Sequence, residues 1–182
     1  VSNCIRNLFK TRSSSCGSLV VFSGCGTSGR LAFAVSQAFE RHFVAEKDSS
    51  HLPFLQYLIA GGDKAFLTAQ ERGEDNVEWA RKDLENLISP YQKVTKTNKP
   101  FCCFLGISCG LSAPYVAAQL DYAADHPEIF ECVAFLGFNP RSLARRSIIE
   151  KFDNRSFYDV LTKVFPTNSK NNHRRALITP IV

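Results

Sequence analysis

The apolar residues of the chain fall into short continuous runs, separated by longer stretches in which they recur every three or four positions. The runs Ser18–Ser23 (SLVVFS), Phe54–Ala60 (FLQYLIA), Phe101–Ile107 (FCCFLGI), Cys132–Gly137 (CVAFLG) and Ala176–Val182 (ALITPIV) predict five β-strands. Between them, Arg30–Phe43, Val77–Ile88 and Pro114–Ala124 carry helical spacing. In the first of these the apolar face reads Leu31, Val35, Ala38, Phe39 and His42–Phe43; in the last it reads Val116, Ala117, Leu120 and Ala124. Strands that are apolar throughout, rather than at alternate positions, belong to a sheet covered on both faces. Strand–helix alternation then requires right-handed crossovers, so the expected fold is α/β, a doubly wound five-stranded parallel sheet flanked by helices. Polar loops are expected at Asp48–Ser50, Thr95–Lys99 and Pro166–Asn172. Residues 1–17 read as a helical lead-in, and 18–182 as one domain that stops on its last strand.

Composition sets the limits of this picture. A chain of 182 residues with 45% hydrophobic content suits one domain with a real core. The longest apolar runs are far shorter than the ~20 residues of a membrane span, and no secretory leader is recognisable, so no membrane association is expected. The chain has no methionine and is therefore expected to be a piece of a longer protein. The net charge of +5 is uneven. From Arg141 onward nine basic residues face only Glu150, Asp153 and Asp159, which suggests a solvated basic face or, less simply, a patch for an acidic partner. Nucleic acid is not expected, because that stretch lacks interleaved aromatic residues. Seven cysteines without a C-x-x-C pair, and four scattered histidines, fit neither a disulfide framework nor zinc. Reduced, buried thiols in a cytoplasmic or nuclear setting are the expectation, with no metal and no cofactor.

Chemistry concentrates in three loops. Gly24-Cys25-Gly26-Thr27-Ser28-Gly29-Arg30 follows the first strand and opens a helix. Glycines bring main-chain N–H groups close to a ligand, and a helix start adds unpaired donors with partial positive charge, so this loop suits a phosphate. Gly24, Gly26 and Gly29 also spell a dinucleotide-binding pattern. That pattern wants an acid about 20 residues on, whereas Asp63 lies 34 residues past Gly29, and no G-K-[ST] of a P-loop follows. The second loop, Gly106-Ile107-Ser108-Cys109-Gly110-Leu111-Ser112-Ala113-Pro114, repeats the design after the third strand, with Ser112 a candidate helix cap. In a flavodoxin-like strand order the two loops lie side by side at the switch point, and paired hydroxyl-rich loops suit a phosphorylated, sugar-sized ligand. The third loop, Gln70-Glu71-Arg72-Gly73-Glu74-Asp75-Asn76, is acidic: Glu74 and Asp75 either cap the next helix or offer a carboxylate to sugar hydroxyls.

Taken in order, GTSGR, LIAGGD, E-x-G-E-D and GISCGLSAPYV resemble the sugar isomerase (SIS) domains, in the group that holds the N-acetylmuramic acid 6-phosphate etherases and the glucokinase regulatory proteins. The likeness runs from about Leu19 to Val182, and the GISCGLSAPYVAAQLD and GFNP…SLAR segments look more like the regulators. The resemblance implies a sugar phosphate held by Gly26, Thr27, Ser28, Ser108, Cys109, Gly110 and Ser112, with Glu74 near the sugar hydroxyls. It implies fructose 6-phosphate or fructose 1-phosphate as ligand, glucokinase as the partner that is inhibited, and a cytoplasmic and nuclear location. A serine-rich loop after the fifth strand and a second SIS domain, both family features, have no counterpart in these residues. The etherases use two glutamates; Glu74 matches one, but the position of the other is Ala38, and Glu40 stands roughly 200° further round the helix. No catalytic residue is therefore assigned, and a non-catalytic regulator is expected. An etherase or sugar-phosphate isomerase is the alternative, although no His or Lys stands in a motif loop.

Overall fold

The computed structural model describes residues 18–43, 54–68, 73–95, 100–167 and 174–179. The predicted lead-in at 1–17 lies outside them, as do most of the three predicted loops. Five strands form one sheet: β1 (Leu19–Gly24), β2 (Leu55–Ile59), β3 (Cys102–Ile107), β4 (Phe130–Leu136) and β5 (Arg175–Ile178). The order is β2-β1-β3-β4-β5 and every pairing is parallel, which is the expected doubly wound arrangement. Among the described residues, four helices flank it: α1 (Gly26–Phe43), α2 (Val77–Val94), α3 (Pro114–Asp125) and α4 (Phe157–Val164). Single 3-10 turns occur at Gly62–Phe66 and Arg141–Leu143.

The faces of the sheet divide unequally. Leu19, Val21, Phe104, Val133 and Phe135 join Leu84 of α2, Leu120 of α3 and Leu161 of α4 in the main core. Val20, Leu55, Cys103 and Cys132 form a smaller cluster. The intervening helix α1 packs on β1 and β2 through its smallest residues. Ala32 and Ser36 are fully buried, and Gly29 is so close to β2 that a Cβ there would fall 2.5 Å from the Ile59 side chain. Leu31 and Phe39, expected to face inward, are 47% and 54% exposed. Close approach of helix and strand selects small side chains, so the stripe of large apolar residues is not the buried one.

Other boundaries moved for identifiable reasons. Helix α2 runs past Ile88 through Pro90, because buried Ile88 and Tyr91 continue its apolar stripe and outweigh the one main-chain bond that proline forfeits. β5 starts at Arg175. Helix α4 was not expected at all. Ser156 and Asp159 close a reciprocal capping box at its start, and Phe157, Val160, Leu161 and Val164 are its buried face. Glu40, which lies off the site's face, ties α1 to the start of β2. Its two carboxylate oxygens accept the N–H groups of Phe54 (3.1 Å) and Leu55 (2.8 Å).

The basic stretch is largely consumed internally. Asp121 of α3 is buried (3% exposed) and receives both guanidinium nitrogens of Arg155, at 2.7 and 2.8 Å, and Lys163 Nζ at 2.8 Å. Burial works to raise the Asp121 pKa, but the hydrogen bonds from Arg155 and Lys163 prevail and hold it below the ordinary carboxylate range. Arg175 donates to Val164 O and Ala124 O, and Arg141 to Phe165 O, so both cover carbonyls at helix ends. Arg146 lies over the Tyr158 ring at 3.8 Å. These contacts use Arg141, Arg146, Arg155, Lys163 and Arg175, five of the nine basic residues, within the domain.

Candidate functional site

Loop one and loop two leave the carboxyl ends of β1 and β3, which are hydrogen-bonded neighbours with Gly24 opposite Ile107. Both loops therefore open on the same edge of the sheet, at the point where the chain reverses from β2 to β3. Loop one is short because its glycines allow it. Gly26 adopts φ +50°, a left-handed conformation that suits glycine, and a Cβ on Gly24 would fall 2.6 Å from the Ser28 main-chain carbon. The chain thus turns into α1 immediately, and Gly26, Thr27 and Ser28 form its first turn, where main-chain N–H groups lack helical partners. No acid stands in that turn. Thr27 is exposed, whereas Ser28 is 9% exposed, with its Oγ 4.0 Å from Cys109 Sγ of loop two.

Loop two turns through Leu111, which is fully buried with φ +52°. Ser108 is buried and its N–H donates to Leu136 O, while Cys109 O accepts N–H groups from Phe138 and Asn139, anchoring the loop to the end of β4. Cys109, Gly110 and Ser112 face outward. Ser112 does not cap α3: the capping position is Ala113, followed by Pro114 in the first turn. Behind the loops, Ser23 Oγ donates to the Gln119 side chain, whose Nε2 donates to Ala80 O at 2.9 Å. This buried chain joins β1, α3 and α2.

The acidic turn meets loop one. A Cβ placed on Gly26 would lie 3.3 Å from Glu74 Oε1. Glu74 O accepts the N–H of Tyr115 at 2.9 Å, which fixes the turn against the start of α3. Neither Glu74 nor Asp75 caps α2; Asn76 does, by accepting the N–H of Trp79 at 2.9 Å. The Glu74 carboxyl is raised above its ordinary value by partial burial and by Asp75. Burial, with Glu74 and Asp75 nearby, also pushes the Cys25 thiol up, so it is protonated and unreactive at neutral pH.

Sequence reasoning misses one residue near this site. Arg145 reaches Asp75 Oδ1 at 3.7 Å and Ser112 O at 3.5 Å, putting a guanidinium on the rim between the acidic turn and loop two. Its one signal along the chain is the SLAR segment. The eight candidate residues are thus brought to one edge of the sheet, with Glu74 beside Gly26 and Cys109 beside Ser28. A cleft of about 630 Å3 opens elsewhere, along β2 and α2, and is lined by none of the eight. Among the described residues, no group of three or more His, Cys, Asp or Glu side chains is arranged to hold a metal ion. No described helix is long and apolar enough to cross a membrane.

Comparison with known proteins gives this geometry a context. The family model for the glucokinase regulatory protein N-terminal SIS domain matches residues 1–124, a span that contains both glycine loops and the acidic turn. The glucokinase regulatory protein of Xenopus laevis is 41% identical over 133 residues, covering 73% of this chain and 20% of that protein. The human protein of the same name is 39% identical over 134 residues, 74% of this chain and 20% of its own length. An N-acetylmuramic acid 6-phosphate etherase of Francisella philomiragia is 35% identical over 107 residues, 59% of this chain and 32% of the etherase. The chain thus spans about a fifth of the length of the regulators it matches. The five parallel strands, the two hydroxyl-bearing loops at one edge and the extended match together make the chain a member of the glucokinase regulatory protein N-terminal SIS domain family.

Proposed function

We propose that this domain binds the phosphorylated end of a fructose phosphate and thereby takes part in a glucokinase regulator. The observation that carries the reading is the meeting of two glycine- and hydroxyl-rich loops at the switch point, with Glu74 against loop one. The first-turn N–H groups of α1 and the hydroxyls of Thr27, Ser28 and Ser108 offer hydrogen bonds to an anion, and Ser112 extends the same rim. A carboxylate at Glu74 complements sugar hydroxyls as an acceptor. Glucokinase is the proposed protein partner, by family membership, and the nucleus and cytoplasm are the proposed setting.

The domain acts, on this reading, without catalysing a reaction. An elimination of the etherase kind needs both an acid and a base, and the chain offers Glu74 with Ala38 at the second position. Ala38 is exposed on α1, about 16 Å along the axis from Thr27 at 1.5 Å per residue. It therefore stands well away from these loops, so the non-catalytic reading is supported by the likeness to the regulators and not by Ala38. The etherase reading keeps one favourable observation, the raised Glu74 carboxyl, and would be recognised by release of lactate from N-acetylmuramic acid 6-phosphate.

Calorimetry of fructose 6-phosphate and fructose 1-phosphate with this chain tests the proposal. Ser108→Ala removes a hydrogen bond to an ionised phosphate, a class of contact worth roughly 1.5–3 kcal/mol. Affinity is expected to fall about tenfold to hundredfold. Thr27→Val keeps the side-chain shape and should weaken binding by a similar order. Unchanged affinity in both variants would overturn the assignment of the loops.

A further inference from the structure

β2 is an edge strand, and its outer side borders the cleft of about 630 Å3. Val20 N–H donates to Phe54 O, and Ala60 N–H donates to Gly24 O. In a parallel ladder these two bonds assign the main-chain groups of residues 54, 56, 58 and 60 to β1, and turn those of 55, 57 and 59 outward. Leu55 N–H is taken by Glu40. No described residue meets the outward N–H and C=O groups of Tyr57 and Ile59. Their side chains are engaged on the α1 side: the Tyr57 ring packs on Phe33 (4.9 Å between centroids) and on Phe66 (5.9 Å), and Ile59 lies against Gly29. They therefore border the cleft through their main chain.

The opposite wall is α2, with Trp79, Asp83 and Asn86, and Tyr115 lines the cleft beside Asp83, to which its hydroxyl donates at 2.8 Å. Trp79 is 55% exposed. Two carboxylates, Asp63 and Asp83, border the space, and among the described residues no lysine or arginine does. An edge with two peptide groups that no described residue meets, an apolar aromatic cluster on one face and a carboxylate and an exposed indole on the other make a coherent recognition surface. We propose that this edge takes up an extended, basic segment of a protein partner as a sixth strand, its alternate residues directed to Asp83 and Trp79 on one face and to the Phe33–Tyr57–Phe66 cluster on the other. Main-chain bonds supply the docking, the arginine or lysine of the segment pairs with Asp83 and covers the indole, and the apolar residues between them rest on the ring cluster. This surface is separate from the glycine loops, and its occupation does not depend on the sugar-phosphate reading.

Trp79 is the sole tryptophan of the sequence, so its fluorescence reports directly on the cleft. The probe is the pentapeptide acetyl-Val-Arg-Val-Arg-Val amide, titrated into the 182-residue chain, together with two forms N-methylated at either the valines or the arginines. A strand uses only one of its edges, so one methylated form is expected to lose binding and the other to bind as the parent does. Asp83→Asn retains an acceptor for Tyr115 and is expected to weaken the parent peptide about tenfold. A peptide with glutamate in place of arginine should leave the emission unchanged. The proposal is overturned if the parent peptide produces no saturable change in Trp79 emission, if both methylated forms behave alike, or if the glutamate peptide binds as well as the arginine one.

Discussion

Asp121→Ala is expected to remove about 1–3 kcal/mol of stability, the cost of leaving buried donors without their acceptor; Arg155 and Lys163 reach solvent in part, which keeps the loss below that of a fully buried pair. The loss arises less from the attraction itself than from what remains. Arg155 and Lys163 would keep their charges at the junction of α3 and α4, with no carboxylate between them. Among the described carboxylates, Lys163 would retain Asp125, at 2.7 Å, and Arg155 exposed Asp153, at 3.3 Å. The same group sets an acid limit. Its folded pKa lies below the unfolded value of about 3.9, so its contribution is present above that value. It is lost as pH falls through the depressed folded pKa. Thermal unfolding between pH 7 and pH 2 checks both statements. The variant should melt lower at neutral pH, and the difference from the parent should shrink towards pH 2. Equal melting temperatures at pH 7 would show that the network is ornamental.

The second large effect belongs to loop one. A methyl group on Gly24 falls 2.6 Å from Ser28 C and 2.7 Å from Gly29 N, both main-chain atoms that have no rotamer by which to retreat. Gly24→Ala is expected to cost about 1–3 kcal/mol, the range for overpacking a tight site, and to displace the first turn of α1. Because Thr27 and Ser28 ride on that turn, fructose phosphate affinity should fall together with stability. Denaturant unfolding and calorimetry on one preparation separate the two losses. A variant that keeps its stability but loses binding, or the reverse, would show that the turn is not the shared cause.

Most of the topology is legible in the sequence because its signals are redundant. LVVF within SLVVFS and FCCFL within FCCFLGI are apolar at consecutive positions, which already demands a sheet covered on both faces, and the glycine loops mark where two of the strands end. What escapes depends on residues that carry little hydrophobic weight. Gly29, Ala32 and Ser36 form the inward stripe of α1 although none is large, while Leu31 and Phe39 point out. Helix α4 is hidden because its basic and acidic residues belong to a charged stretch. Yet Ser156 and Asp159 spell a capping box, and Phe157, Val160, Leu161 and Val164 have helical spacing. The candidate site is legible as loops but not as neighbours of one another. That Glu74 sits by Gly26, that Asn76 rather than Glu74 caps α2, and that Arg145 arrives from beyond β4 are facts of tertiary packing. Spacing along the chain does not contain them.

The interior position of β1, between β2 and β3, has a consequence for the birth of the protein. Leu19 pairs on one side with Cys102, 83 residues later. At ribosomal rates of about 5–20 residues per second, β1 is complete roughly 4–17 seconds before its β3 partner has been made. Of its two partners in the sheet, SLVVFSG can meet β2 alone during that interval, and the edge that β3 will take is open to other nascent chains. The nascent polypeptide is therefore expected to engage a holding chaperone until Ile107 has been translated, and to release it when the third strand closes the middle of the sheet.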